Sequence, residues 1–417
     1  MEYTFGFSSP TKMGKVAELE ELVFGPSLSA QWFDDMILRT ALFRFEGIRI
    51  AEHDGRVVSA LMVLPKIMRI GTASVLACGI AGVATHPDHR RKGLATQLLT
   101  DSISYMKKIG CSISTLGTTS PAIYQRLGWE IAQPSYSYQI DRRKLLSLDR
   151  SPFEARPFRR MDLDEVMAID QETNACRTGS LVRNRDDWER EIEYPCIHRR
   201  DLHESREFET FLVSLREGSI ASYARCMMGE DITHIMECGV REESSLRAIL
   251  RHLFEHESSN IAAIEANMPL DHPLVRLLLD LGAKDNSSYS GLASGGLSAR
   301  MVRIIDIPRL LESIQTELTR RASRVKRMQG SLRIQVGQET VSINVSNGKV
   351  DSERDAAPTS FYRTTSNVMA RIVMGQLLPS EAVGKGLAEA DTRSLGLLDC
   401  LFPRGYPMHR SIDPLCQ

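Results

Sequence analysis

The feature that most restricts this chain's fold is a repeated order of elements. Residues 47–87, "GIRIAEHDGRVVSALMVLPKIMRIGTASVLACGIAGVATHP", read as successive strands broken at Asp54-Gly55 and at Gly71, turn chemistry that suits antiparallel hairpins. Leu94, Leu98, Leu99, Ile103 and Met106 then recur at helical spacing up to Gly110. A short buried strand, "CSISTLGT", follows. Next come a short helix, "SPAIYQRLG", with Pro121 near its first turn and Gly128 past its end, and a strand beginning at "WEIA". From residue 150 the order starts again. "RPFRRMDLDEVMAID" gives a strand, a polar turn and a helix, and "FETFLVSLREGSIASYARCMMGEDITHIMECGV" gives three strands parted at Glu217-Gly218 and Gly229. "ESSLRAILRHLFEHE" supplies a helix, "IAAIEANMP" a strand and "HPLVRLLLDLGAK" a short helix ending at Gly282.

The copies differ at one place. Where the first has "HPDHRRKGLA", the second has "REESSLRA", without the glycine and the basic cluster. The expected boundaries are 1–148 for the first unit, 149–298 for the second and 299–417 for a C-terminal section. That section has strands in "SLRIQVGQETVSINVSNGKV" and helices in "NVMARIVMGQLLPSEAV" and "SLGLLDCLF", so the expected fold class throughout is α+β.

At 417 residues the chain exceeds one ordinary core. Lys and Arg number 52 against 53 Asp and Glu, which leaves no global field for nucleic acid or an anionic membrane. The opening "MEYTFGFSSPTKMGK" lacks the basic-then-apolar pattern of a secretory signal, and no stretch approaches the roughly 18 apolar residues of a membrane span. A cytoplasmic protein is expected. Its eight scattered cysteines have no C-x-x-C pair and read as reduced and structural.

A strand ending in a basic, glycine-bearing loop that opens a helix is suited to phosphates, because exposed N–H groups and the helix dipole meet the anion and glycine allows close approach. The loop matches neither G-x-x-x-x-G-K-[ST] nor G-x-G-x-x-G. With Arg90, Gly93 and Ala95 in the defined positions, it resembles the [Q/R]-x-x-G-x-[G/A] motif of the GCN5-related N-acetyltransferases, GNATs, which cradles the pyrophosphate of acetyl-coenzyme A. "AGVATHP" stands where that family has its pantetheine-pairing strand. "TSPAIYQRLGWE" resembles its second signature through Tyr124, Gly128 and Trp129. The whole layout resembles the Eis family within it: two acetyltransferase units, the second degenerate, and a C-terminal domain like a sterol carrier protein.

The resemblance implies that the backbone of Val83, Ala84 and Thr85 holds the pantetheine, and that Arg90, Arg91, Lys92, Gly93, Leu94, Ala95 and Thr96 wrap the phosphates. Thr119 and Ser120 fall where the family has a cofactor-contacting Ser-Glu pair, a departure that removes a carboxylate. Tyr124 is the implied general acid, a phenol of pKa ~10 against a thiolate of similar basicity. The implied base is the C-terminal carboxylate, here that of Gln417. "DPLCQ" departs from the acidic-then-aromatic ending of mycobacterial members. The resemblance also implies a hexamer.

The implied activity is direct acetyl transfer, in a ternary complex, to an aminoglycoside, a polyamine, or a lysine or N-terminal amine of a peptide. Asp34, Asp35 and Glu46 are nearby acids for a cationic acceptor. The competing reading is a non-catalytic carrier of acyl-coenzyme A or lipid. No metal is expected. "HLFEH" matches H-x-x-E-H through His252 and His256 but lacks a third ligand, and "RRASRVKRMQG" reads as a solvated helix end.

Overall fold

The computed structural model describes residues 2–25, 37, 40–149, 151–193, 209–229, 231–256, 261–288, 299–325, 329–353, 358 and 360–408. The first unit contributes β1 (Thr4–Phe7), β2 (Ile48–His53), β3 (Arg56–Ile70), β4 (Ala73–Thr85), β5 (Ile113–Thr118) and β6 (Glu130–Gln133). The chain then runs through β7 (Tyr138–Asp141), β8 (Glu154–Pro157), β9 (Glu209–Arg216), β10 (Ser219–Met228), β11 (Ile232–Val240), β12 (Ala263–Ala266), β13 (Lys284–Asp285) and β14 (Ala299–Ile304). The expected hairpin breaks are present, with Asp54, Gly55, Gly71, Glu217 and Gly218 all at positive φ.

The sheets do not follow the expected boundaries at 148 and 298. Their orders are β1-β2-β3-β4-β5-β14-β6 and β13-β7-β12-β11-β10-β9-β8. β14, which follows the second unit in sequence, lies antiparallel to both β5 and β6, with Ala299 opposite Thr118 and Arg300 opposite Gln133. In return β7, from the first unit, lies antiparallel to both β12 and β13. The first unit lends β7 to the second sheet, and the chain just past the second unit lends β14 to the first. The reason is edge satisfaction: without the inserted strand, the parallel strand and its neighbour would each carry a row of unpaired amides and carbonyls.

Alternation along β3 sends side chains to two faces. Ala60, Met62 and Leu64 pack with Val16 and Leu19 of α1 (Met13–Phe24). Leu61 and Val63 pack with Leu94, Leu98, Leu99 and Met106 of α2 (Leu94–Lys108). Each such fully buried aliphatic side chain contributes about 1.5–3 kcal/mol. The opening before α1 is not purely helical as the polar sequence suggests, since β1 pairs along β2 from Thr4 to Phe7.

The C-terminal section forms a five-stranded sheet of β15 (Gly330–Val336), β16 (Glu339–Ser346), β17 (Lys349–Glu353), β18 (Ser360–Thr364) and β19 (Ala388–Ala390), in the order β17-β16-β15-β18-β19. Its core is continuous with Met68, Ile70, Ala73 and Val75 of the β3–β4 hairpin. The basic run at 320–330 is tied into this junction and is not simply solvated. Arg320 and Arg321 donate to fully buried Glu317 at 2.7 and 2.6 Å, and Glu317 also accepts the Thr72 N–H and hydroxyl at 3.1 and 2.7 Å. A Cβ on Gly71 would fall 2.2 Å from that carboxylate. Residues 326–328 of the run lie outside the described residues.

Among the described residues no helix is long and apolar enough to cross a membrane, and no group of three or more His, Cys, Asp or Glu side chains is placed to hold a metal. His252 and His256 merely stack, with ring centroids 4.2 Å apart. The six described cysteines are free thiols.

Candidate active site

β4 and β5 run parallel and pair only from Ala77–Ile113 to Gly79–Thr115. Beyond that point they part. β4 continues on β3 to Thr85, while β5 continues on β14 to Thr118. A bulge accompanies the parting: Met62 faces Ala81 and Ala60 faces Ala84, so Gly82 and Val83 stand out of register, with Gly82 at φ +56°. The gap therefore has backbone of Val83, Ala84 and Thr85 along one side and the end of β5 along the other.

β4 leads into the basic loop. Pro87–His89 make one 3-10 turn, the Arg90 guanidinium returns to the Thr85 carbonyl at 3.2 Å, and Lys92 donates to the Asp88 carbonyl at 3.0 Å. Arg91 and Gly93 lie at φ +62° and +81°. Two left-handed residues so close together bend the chain sharply, the kind of backbone that gathers amide hydrogens around an anion. Gly93 caps α2 without a side-chain acceptor, and the first turn, Leu94–Ala95–Thr96, holds no acid. Its N–H groups have no intrahelical acceptor and carry the positive end of the helix dipole. Arg90, Arg91, Lys92, Gly93 and Thr96 are exposed, Ala95 is half-buried and Leu94 anchors the turn in the core. This donor set fits a diphosphate. His53, His86, His89 and Tyr3 cluster beside it, with Tyr3–His53 and His53–His89 ring centroids 5.1 and 5.3 Å apart. Desolvation, then Lys92 and the other two histidines, lower the His89 pKa.

Tyr124 sits across the gap on α3 (Pro121–Gln125), packed in the same core as Leu94, Leu98 and Val83. Burial pushes its phenol up to about 12, against a hydrogen bond with Thr118 that lowers it. It stays protonated at any physiological pH. Its ring meets Trp129 edge-on at 6.3 Å; Trp129 is fully buried and its indole N–H donates to Ser114 Oγ at 3.2 Å. Gly128, at φ +90°, makes the turn between the two. Thr119 and Ser120 are exposed at the end of β5, where the Ser120 N–H donates to Thr118 Oγ1 at 3.0 Å.

Sequence reasoning missed the residues that brace this helix. Arg303 of β14 donates to the Leu127 carbonyl at 2.8 Å and lies 5.6 Å from the Trp129 ring, and Asn367 donates to the Trp129 carbonyl at 3.2 Å. Both come from far along the chain and carry no local signal. Glu46 is exposed on a short 3-10 turn, and Asp34, Asp35 and Gln417 lie outside the described residues.

Comparison with known proteins bears on the family and the fold. Residues 8–132 match the family model described as an acetyltransferase (GNAT) domain. Two proteins of Streptomyces avermitilis, each named an uncharacterized N-acetyltransferase, are 33% identical over 92 residues and 24% identical over 256. The matched segments span 22% and 59% of those relatives' lengths. A GCN5-related N-acetyltransferase from Anabaena variabilis superposes with a TM-score of 0.76 at 16% identity, over 97% of this chain and 98% of its own. Eis1 from Mycobacterium abscessus gives 0.68 at 16%, over 98% and 99%. At such identity the likeness is one of fold. The parted strands, the basic loop and Tyr124 all fall within residues 8–132, and that segment belongs to the acetyltransferase (GNAT) domain family.

Proposed function

We propose that the protein is an acetyl-coenzyme A-dependent N-acetyltransferase that moves an acetyl group directly onto a primary amine. One observation carries the reading: a strand edge left free by the parting of β4 and β5 runs straight into an uncapped, basic helix start, with a buried phenol across the gap. The amides from Arg91 to Thr96 and the loop cations take the diphosphate, and Val83, Ala84 and Thr85 align the pantetheine arm. The neutral amine attacks the thioester carbon, the C–S bond breaks, and Tyr124 gives its proton to the departing thiolate. The phenolate then recovers a proton from the amide nitrogen. Burial keeps the phenol protonated until the thiolate forms, though it also makes the phenol a weaker acid than a free one.

The acceptor class is an aliphatic amine of a small molecule or peptide. A hexameric assembly, a cytoplasmic location and a sterol-carrier-like C-terminal domain belong to the same proposal and rest on the Eis resemblance, which also implies the carboxylate of Gln417 as base. Thiol release from acetyl-coenzyme A with a panel of amines tests the activity. Turnover with at least one amine is expected. Tight binding of acetyl-coenzyme A with no turnover on any amine would establish the carrier reading instead. Light scattering tests the assembly, and a monomer overturns it.

A further inference from the structure

The first unit holds a buried carboxylic acid that its own mechanism leaves unused. Glu20 lies on α1 behind Val16 and Leu19 and is fully buried. Neither carboxyl oxygen has a hydrogen-bond partner among the described residues. The group fills the place where Gly82 lacks a side chain: a Cβ there would fall 2.8 Å from Oε1 and 3.2 Å from Oε2. Gly82 is the left-handed residue of the β4 bulge, at the parting of the strands.

The second unit shows what such a position ordinarily requires. Its helix α4 (Leu163–Asn174) follows β8 and a 3-10 turn as α1 follows β1 and a 3-10 turn, and its buried Val166, Ile169 and Asp170 repeat Val16, Leu19 and Glu20. Asp170 is as buried as Glu20, yet it is fully paired. It accepts from the Arg183 guanidinium at 2.8 Å, Asn174 at 2.9 Å and the Tyr223 hydroxyl at 3.0 Å. Arg183 in turn pairs with Glu237 and Glu191. Among the described residues, one copy of the fold supplies its buried acid with a cation, and the other does not. A buried carboxyl without a partner is destabilising, so it persists where something outside the chain completes it.

We propose that Glu20, in place of the Gln417 carboxylate that the Eis resemblance implies, receives the acceptor's ammonium group and takes its proton, the incoming cation standing to Glu20 as Arg183 stands to Asp170 in the second unit. The proposal rests on the acetyltransferase reading. It places proton acceptor and donor on opposite faces of the sheet, Glu20 with the α1 core and Tyr124 with the α2 core, joined through the gap between β4 and β5. Burial raises Glu20 to about 9, close to an alkylammonium, and no charged side chain among the described residues adds to or offsets that. Protons balance. On binding the ammonium, Glu20 ionises and releases its proton to solvent; it then takes one from the ammonium, leaving a neutral amine. After attack, the amide nitrogen's remaining surplus proton restores Tyr124, and coenzyme A leaves as the thiol.

Glu20→Gln keeps the shape and the uncharged state, so it is expected to fold. With an amine that the wild type acetylates, kcat/KM for the amine falls on the order of 100- to 10,000-fold. Affinity for acetyl-coenzyme A stays within about twofold, as expected for a group that does not touch the carrier. Wild-type kcat/KM for the amine is bell-shaped in pH; the variant's rises steadily with the free amine. Glu20→Asp restores part of the rate and the bell. Independently of any variant, calorimetry of wild-type protein with that amine in two buffers of different ionisation enthalpy shows net proton release near neutral pH. A wild-type rate and pH profile in Glu20→Gln, or no proton release, overturns the role of Glu20 and leaves the acetyltransferase reading standing. A wild type that turns over no amine at all overturns both.

Discussion

The two halves of the tandem share a strand plan and differ in who occupies the gap between the parted strands. In the second unit β11 and β12 also pair in parallel for only a short stretch, Ile232–Ile235 against Ala263–Ala266. There the chain closes the opening itself. The imidazole of His272, at the start of α6 (Pro273–Asp280), donates to the Cys238 carbonyl at 3.1 Å, and Thr173 accepts the Val240 N–H at 2.8 Å. Burial drives the His272 pKa down to about 3, so the ring is a neutral donor. The loop before α5 (Leu246–His256) carries Glu242 and Glu243 in place of arginines, and it has no left-handed residue. The lesson is that, among the described residues, the second unit satisfies its own groups where the first unit leaves donors and an acid to whatever binds there.

Four experiments press on that contrast. Tyr124→Phe removes the donor from the open gap and lowers kcat on the order of 100- to 10,000-fold in steady-state thiol release, with acetyl-coenzyme A affinity nearly unchanged. An equal loss of affinity would make the phenol a packing group. Arg183→Met breaks the self-satisfied copy. Asp170 loses its cation while Glu237 and Glu191 keep Arg225, and denaturant unfolding shows a loss of about 3–5 kcal/mol, typical of an uncompensated buried charge. Little change would mean that the network contributes register and not stability. Charge reversal of the first loop, Arg91→Glu with Lys92→Glu, imitates the second unit and weakens acetyl-coenzyme A on the order of 100-fold by calorimetry; the reciprocal Glu242→Arg with Glu243→Arg creates no second site.

The smallest effect is on pH dependence. Burial keeps the Glu20 carboxyl protonated in the folded chain up to about 9, against an ordinary value of 4.5. The folded state therefore binds the additional proton between those values, and this contribution to stability is full below about 4.5 and declines as pH rises to about 9. Melting temperatures across that window fall less steeply in Glu20→Gln. Parallel slopes would show that Glu20 titrates at its ordinary value in the folded chain.

Local pattern made the repeat, the basic loop and the Tyr124–Gly128–Trp129 turn readable, because each is written in adjacent residues: turn glycines, a 3.6-residue apolar spacing, a run of cations. Long-range pairing was not. Nothing in "RMVRII" says that it enters a sheet begun at Thr4–Phe7, between Ile113–Thr118 and Glu130–Gln133, because strand partners separated by a whole unit leave no periodic trace. Glu20 did leave one. Val16, Leu19, Glu20 and Val23 fall at the spacing of a single helix face, so an acid there is headed inward, yet its company in "AELEEL" made it look solvated. Arg183 carried no signal of either kind.

The exchange of β7 and β14 has a consequence for how the molecule is born. A ribosome makes β5 and β6 long before Ala299–Ile304 exists, so during translation the acetyltransferase sheet waits with its middle missing. The second sheet, whose strands all lie between Tyr138 and Asp285, can finish first. The nascent chain must keep the first sheet's open middle from foreign strands until β14 is threaded, so the earlier unit is completed only after the later one has been synthesised.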